Sequence, residues 1–313
     1  MIITAGEALI DLVVQPGLRV VAVPGGGPFN VARTIARLGR EVAFLGRLSS
    51  DGFGRALRDR LAADGVDLSL VVATDDPTTL AVAELDASGL ATYRFHTEGT
   101  AAAGLRPGDL PDVRRPAALH VGTLGLVLEP LADAIEALVA RVPEDTLVMV
   151  DINARPAAIA DRDRWADRVT RILARADIVT GSHDDLRTLR PGAAAEATAG
   201  TLLDLGPRAV LLTDGPRQTR IVTPRGVTSL EPPRVEVIDT VGAGDAFAGA
   251  FLASWIGDGR GAARADLDDA AAIAEAVRRA LVVAALTCTR RGADSPTAAE
   301  VAGASLPGYD RRG

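Results

Sequence analysis

The sequence predicts an α/β fold: a mainly parallel sheet flanked by helices on both faces, with a small extra β-sheet beside it. Three observations predict it. Short continuous runs of Val, Leu and Ile recur along the chain, as in strands buried on both faces. Amphipathic segments rich in Ala, Leu and Arg separate them, which gives the strand–helix alternation of a parallel sheet. Two stretches break this rhythm with β-type alternation of their own.

In chain order, Ile2–Ala5 reads as the first strand. The apolar run after it carries Glu7 and Asp11 and has no basic leader, so it does not read as a secretion signal. Arg19–Val23 is a short β-rich run. Helix Asn30–Leu38, strand Val42–Leu45 and helix Gly54–Ala63 follow. Leu80–Asp86 and Ala91–His96 alternate about a turn at Ala87-Ser88-Gly89, the pattern of a hairpin. Strands at Ala118–Gly122, Thr146–Asp151, Ile178–Thr180 and Ala209–Thr213 are spaced by helices Glu129–Arg141, Trp165–Arg175 and Ala193–Leu205. Val235–Asp239 alternates as a strand ahead of a small-residue helix, Ala246–Trp255. A last long helix covers about Asp268–Thr287, and the tail from Ala304 reads as frayed.

No repeat or low-complexity segment divides the chain, so residues 1–313 read as one domain. The inserts at about 12–24 and 70–100 are expected to form the small sheet. It reads either as a lid over a site or as an edge extension of the main sheet.

The 313 residues are 48% hydrophobic and 24% charged, enough for a large core. A net charge of -7 argues against nucleic acid as a main partner. No uncharged apolar stretch is long enough to span a bilayer, so no membrane is expected and the cytoplasm is the expected location. The single cysteine, Cys288, excludes an intramolecular disulfide, and its apolar surroundings read as a buried structural thiol. Every basic side chain on the chain is arginine or histidine; there is no lysine. That excludes a Walker A loop, a protein kinase and Schiff-base chemistry, all of which use a lysine amine.

The chemistry concentrates in Val235–Trp255, VEVIDTVGAGDAFAGAFLASW. A glycine-flanked turn opening a helix leaves backbone N–H groups unpaired, and the helix dipole adds positive potential there. The turn is therefore an anion site, suited to a phosphoryl group in transit. Asp245 sits just inside the helix start. A carboxylate beside an anion site makes sense as a base that takes a proton from an attacking hydroxyl. An acidic residue that merely complements the dipole is the plainer reading, but Asp239, Thr240, both glycines and Asp245 occur together.

DTVGAGDAF resembles the C-terminal signature of the ribokinase-like (PfkB) carbohydrate kinases. Gly25-Gly26-Gly27-Pro28-Phe29-Asn30-Val31-Ala32 with Arg37-Leu38-Gly39 is similar to that family's other signature. The resemblance runs from about residue 3 to about residue 297. It implies a ribokinase-like fold with a β-sheet lid, and Asp245 as the catalytic base. The backbone of Gly242, Ala243 and Gly244 would hold the γ-phosphate. Asp11, Gly26 and Asn30 would bind the sugar, although the glycines could equally serve a tight turn and Asn30 a helix N-cap.

Asp151-Ile152-Asn153-Ala154-Arg155-Pro156 resembles a fructokinase-like motif and makes Arg155 a substrate or phosphate contact. Ser182 and Asp185 lie where the family binds phosphate and a magnesium-bound water. Asp185 is one methylene shorter than the family's Glu, and Ser182 could also be a plain N-cap. Thr213, Gly215 and Thr240 would touch ATP, with Ala285 and Cys288 lining the adenine pocket. The cofactors implied are ATP, Mg²⁺ and a monovalent cation.

Fructokinase-like features lead, so the expected reaction is fructose to fructose 6-phosphate. The lid segment Tyr93–Ala101 also looks fructokinase-like. 2-Keto-3-deoxygluconate kinases place an arginine near Thr97, for which Arg94 or Arg155 would have to substitute. Another sugar or nucleoside kinase, and a non-catalytic sugar- or nucleotide-binding regulator, are the remaining alternatives. A dehydrogenase does not fit, because no G-x-G-x-x-G follows the first strand. The lid's exposed face could support a homodimer.

Overall fold

The computed structural model describes residues 1–15, 17–85, 91–113, 115–257 and 264–306. The first strands are β1 (Ile2–Ala5), β2 (Leu9–Gln15) and β3 (Arg19–Gly25), followed by α1 (Gly27–Arg37). Next come β4 (Val42–Leu45), β5 (Arg47–Ser49), α2 (Gly52–Ala63), β6 (Val72–Thr74), β7 (Leu80–Leu85) and β8 (Ala91–His96). The middle of the chain holds β9 (Ala118–Gly122), α3 (Leu131–Arg141), β10 (Leu147–Asp151) and α4 (Arg162–Leu173). Then follow β11 (Ile178–Ser182), α5 (His183–Leu189), α6 (Ala195–Leu203), β12 (Ala209–Thr213), β13 (Thr219–Thr223) and β14 (Gly226–Leu230). The last helices are α7 (Ala243–Gly257), α8 (Ala270–Cys288) and α9 (Ala298–Gly303).

The main sheet has eight strands in the order β14-β13-β12-β11-β10-β9-β1-β4. From β4 to β12 every pairing is parallel; β13 and β14 close one edge antiparallel. Successive residues of a strand point to opposite faces. Leu147 and Met149 of β10 therefore join the core under α1, α7 and α8, while Val148 and Val150 join the core under α3 and α4. This two-sided burial is why these strands are continuous apolar runs. Among the described residues, no helix is long and apolar enough to cross a membrane.

The two inserts do combine into a second sheet, ordered β3-β2-β7-β8. It is mixed rather than purely antiparallel, because β2 and β7 run parallel while β2–β3 and β7–β8 are hairpin-like pairs. The expected turn at Ala87–Gly89, and the tail beyond residue 306, lie outside the described residues.

Three sequence expectations are corrected. Val235–Asp239 is not a strand. With no neighbouring strand to pair with, it turns its Ile238 and Asp239 amides onto the Cys288 carbonyl at the end of α8, at 2.8 and 3.2 Å. Helix α1 starts at Gly27, not Asn30, because Pro28 suits a first helical turn and Gly26 takes the cap position. Asn30 is thus inside the helix and not its N-cap. Cys288 is only partly buried, not a core thiol, with burial raising its pKa.

Candidate active site

Open parallel sheets bind ligands beyond the carboxyl ends of their strands. Here a cavity of about 680 Å³ lies at that end. The start of α1 contributes Gly26, Gly27 and Asn30, and the start of α7 contributes Thr240, Gly242, Gly244 and Asp245. The small sheet adds Asp11, Tyr93 and Phe95, with the two aromatic rings stacked at 6.2 Å. The segments after β9 and β10 bring Thr123, Asn153 and Arg155.

Asp245 is 8% exposed and lies in the first turn of α7. Its Oδ2 accepts the Asn30 side-chain N–H at 2.8 Å. Burial raises its pKa to about 6, while the Asn30 bond and the charge of Arg155 pull it down. Asn30 Oδ1 is buried and has no partner among the described residues. It is an acceptor left over beside the carboxylate, available to a ligand hydroxyl. Burial also raises Asp11 to about 6, with Arg155 opposing it and Asp245 adding to it.

The turn before α7 has the geometry of an anion site. Gly242 has φ 77, and a Cβ there would stand 2.4 Å from the Ala293 Cβ, so only glycine fits. The Ala243 N–H is turned inward to the Thr240 carbonyl at 3.2 Å, which removes it from the expected phosphate donors. Among the described residues, no acceptor takes the N–H of Gly242 or Gly244. Asp239 braces the turn: its carboxylate accepts from Val241 N at 3.0 Å and from Gly292 N at 2.8 Å. Asp239 thereby ties this turn to the segment after α8.

Arg155 is held by its own loop. Its Nη1 donates to Asn153 Oδ1 at 2.5 Å and to the Ala154 carbonyl at 3.2 Å. Asn153 Nδ2 donates to Thr123 Oγ1 at 3.3 Å. Asn153 and Thr123 both have positive φ, 30 and 54, a strained backbone of the kind that gathers at functional sites. Arg94 is not a substitute contact. It lies on the opposite face of β8 from Tyr93 and Phe95, with its guanidinium 3.6 Å from Glu84.

The expected nucleotide residues lie outside this cavity, except Thr240. Ser182 and Thr213 are register partners at the ends of β11 and β12, so they do stand side by side. Gly215 follows with φ 54. Ala285 is buried within α8. Ser182 is the N-cap of α5 in a capping box with Asp185. Asp185 also accepts from Ala154 N at 2.7 Å, which links α5 to the Arg155 loop. With both oxygens so engaged, Asp185 suits a metal's water shell better than direct ligation. Among the described residues, no three or more His, Cys, Asp or Glu side chains form a metal cage.

Sequence reasoning missed Glu7, Thr123 and Asn153. Glu7 had a signal, an acid in an apolar run. Asn153 stood inside the motif that pointed to Arg155. Thr123 had none.

The chain matches the pfkB family carbohydrate kinase domain over residues 2–300. It is 36% identical over 261 residues to a fructokinase of Rhizobium leguminosarum bv. trifolii, covering 81% of this chain and 79% of that protein. An aminoimidazole riboside kinase of Salmonella typhimurium is 31% identical over 290 residues, covering 92% and 89% of the two chains. The crystal structure of a fructokinase with bound ATP from Xylella fastidiosa superposes with a TM-score of 0.90 at 30% identity, over 96% of this chain and 97% of that one. Both signatures, the sheet order and the Asn30–Asp245 pairing are accounted for together: this chain belongs to the pfkB family of carbohydrate kinases and has its ribokinase-like fold.

Proposed function

We propose that the protein is an ATP-dependent fructose kinase that phosphorylates the terminal hydroxyl of fructose to give fructose 6-phosphate. The observation that carries this reading is a buried carboxylate, Asp245, oriented by Asn30 and set beside the free amides of Gly242 and Gly244. The similarity to fructokinases supports the choice of sugar.

The sugar sits between the small sheet and α1, with Asp11, the Gly26 backbone and Asn30 taking its hydroxyls. Asp245 accepts the proton as the hydroxyl oxygen attacks the γ-phosphorus in line and the bond to the β,γ-bridging oxygen breaks, releasing ADP. The Gly242 and Gly244 amides receive the charge that develops, each worth about 3 kcal/mol by analogy with oxyanion sites. Arg155 stabilises the acidic cluster and faces the substrate. ATP lies along the ends of β11 and β12, against Ser182, Thr213 and Gly215, with Cys288 near the base. Asp185 would help hold a Mg²⁺ ion through its water shell, and that ion would neutralise charge on the phosphates. A monovalent cation is a further expected requirement.

The small sheet acts as a lid of a single domain: Tyr93 and Phe95 close over the sugar and exclude water. Its edge strand β3, with Val20 and Val21 exposed on its two faces and Leu18 exposed before it, suits pairing with a second copy. The reading implies a cytoplasmic enzyme. A second reading, an acid-sugar kinase, draws on Arg155, the arginine that lines the cavity.

The test is kcat/KM with MgATP on fructose, 2-keto-3-deoxygluconate, ribose, adenosine and aminoimidazole riboside. Fructose should lead. A lead for the acid sugar would transfer the proposal to the second reading, and a lead for either riboside would contradict both.

A further inference from the structure

We infer that Glu7 is a positioning residue that clamps two walls of the sugar cavity together and so sets the sugar's place against Asp245. The inference rests on the sugar-kinase reading above.

Glu7 follows β1 and is fully buried, at 0% exposure. Its Oε1 accepts the N–H of Gly27 at 2.9 Å, and its Oε2 accepts the N–H of Gly125 at 3.1 Å. Among the described residues no arginine or histidine pairs with it. The partners are backbone groups 20 and 118 residues away. One is the first residue of α1, where the helix dipole favours an anion. The other belongs to the 3₁₀ turn Thr123–Leu126.

Each bond fixes a wall. On the α1 side, the Glu7 carbonyl packs so close under Gly26 that a Cβ there would come within 2.6 Å of it. Gly26 O accepts from Asn30 N at 3.0 Å, and Asn30 holds Asp245. On the other side, Thr123 and Leu124 line the cavity, and Thr123 holds Asn153, which holds Arg155. One carboxylate therefore links the residue that orients the base to the residues that hold Arg155. Burial pushes the Glu7 pKa up to about 8, and nearby Asp245 adds to the rise. A carboxyl group buried there at that cost serves its two N–H donors.

Two variants test the clamp. In Glu7→Gln the amide oxygen keeps one N–H, while its NH₂ faces the other, donor against donor. In Glu7→Asp the carboxyl group stays, but the side chain is one methylene too short to bridge both. The clamp predicts that both variants raise KM for the sugar about tenfold or more, with KM for ATP unchanged. It also predicts faster amide hydrogen exchange in peptides covering residues 25–30 and 123–127 in both variants, with no such change in Asp245→Asn.

Wild-type behaviour in Glu7→Asp alone would show that bridging the two walls is not needed and overturn the inference. So would faster exchange throughout the central sheet with both KM values rising together. The exchange measurement needs no substrate. Failure of the fructose reading would instead show as wild type preferring another sugar, on which the KM comparison is then made.

Discussion

The side-chain amide of Asn30 donates a 2.8 Å hydrogen bond to Oδ2 of Asp245, joining residues 215 apart in the chain. The bond fixes the carboxylate's direction and favours its charged form. Asn30→Ala should lower kcat about tenfold to hundredfold, since misplacement of a catalytic group by an ångström has effects of that size. It should also lift the Asp245 pKa, moving the acid limb of the rate profile to higher pH. Steady-state rates across pH check both.

The same carboxylates give a pH dependence of opposite sign for activity and stability. As a base Asp245 must be ionised, so kcat/KM should fall as pH drops through about 6. Glu7 at about 8, and Asp11 and Asp245 at about 6, all lie above their ordinary values. The folded state therefore holds protons that the unfolded state has released. Their stabilisation is complete below the ordinary carboxylate range and is lost as pH rises through about 6 to 8. Thermal melts of the ligand-free protein should show a lower Tm at about pH 9 than at about pH 6, and Glu7→Gln should narrow the gap.

How legible was this site in the sequence? The glycine turn before α7 and the placing of Asp245 beside it were, because both are written in adjacent residues. Ser182 was readable as an N-cap for the same reason. Glu7 was not, because its partners are backbone N–H groups 20 and 118 residues away, and no local pattern records them. Thr123 matters through a positive φ at a strand end, which no residue type announces. The main sheet was legible because strands buried on both faces leave unbroken apolar runs. Val235–Asp239 misled, because alternation without a neighbouring strand makes no sheet. The parallel β2–β7 pairing, which turns two inserts into one sheet, is a property of topology alone.

Gly242→Ala should disable the phosphate turn while sparing the sugar site. The new Cβ would fall 2.4 Å from Ala293 Cβ, at a φ of 77 that alanine rarely adopts. Loss of one oxyanion-type donor elsewhere lowers kcat by about 10²–10³, and a similar fall is expected here with KM for fructose little changed.

Asp51 makes a separate, structural prediction. It caps α2 through Gly54 N at 2.7 Å and also accepts from Thr78 N at 2.8 Å and Thr78 Oγ1 at 2.6 Å, just before β7. Partial burial alone would raise its pKa, but these bonds hold it at about 2. Asp51→Ala should destabilise the fold by about 1–3 kcal/mol, read by denaturant unfolding, with little effect on kcat.

The most direct test of the central claim is fructose-dependent ADP release from MgATP by wild type and Asp245→Asn. The account predicts turnover by wild type and a fall of roughly 10²–10⁴-fold in kcat in the variant, with the fold intact. Equal turnover by the two proteins would contradict Asp245 as the base.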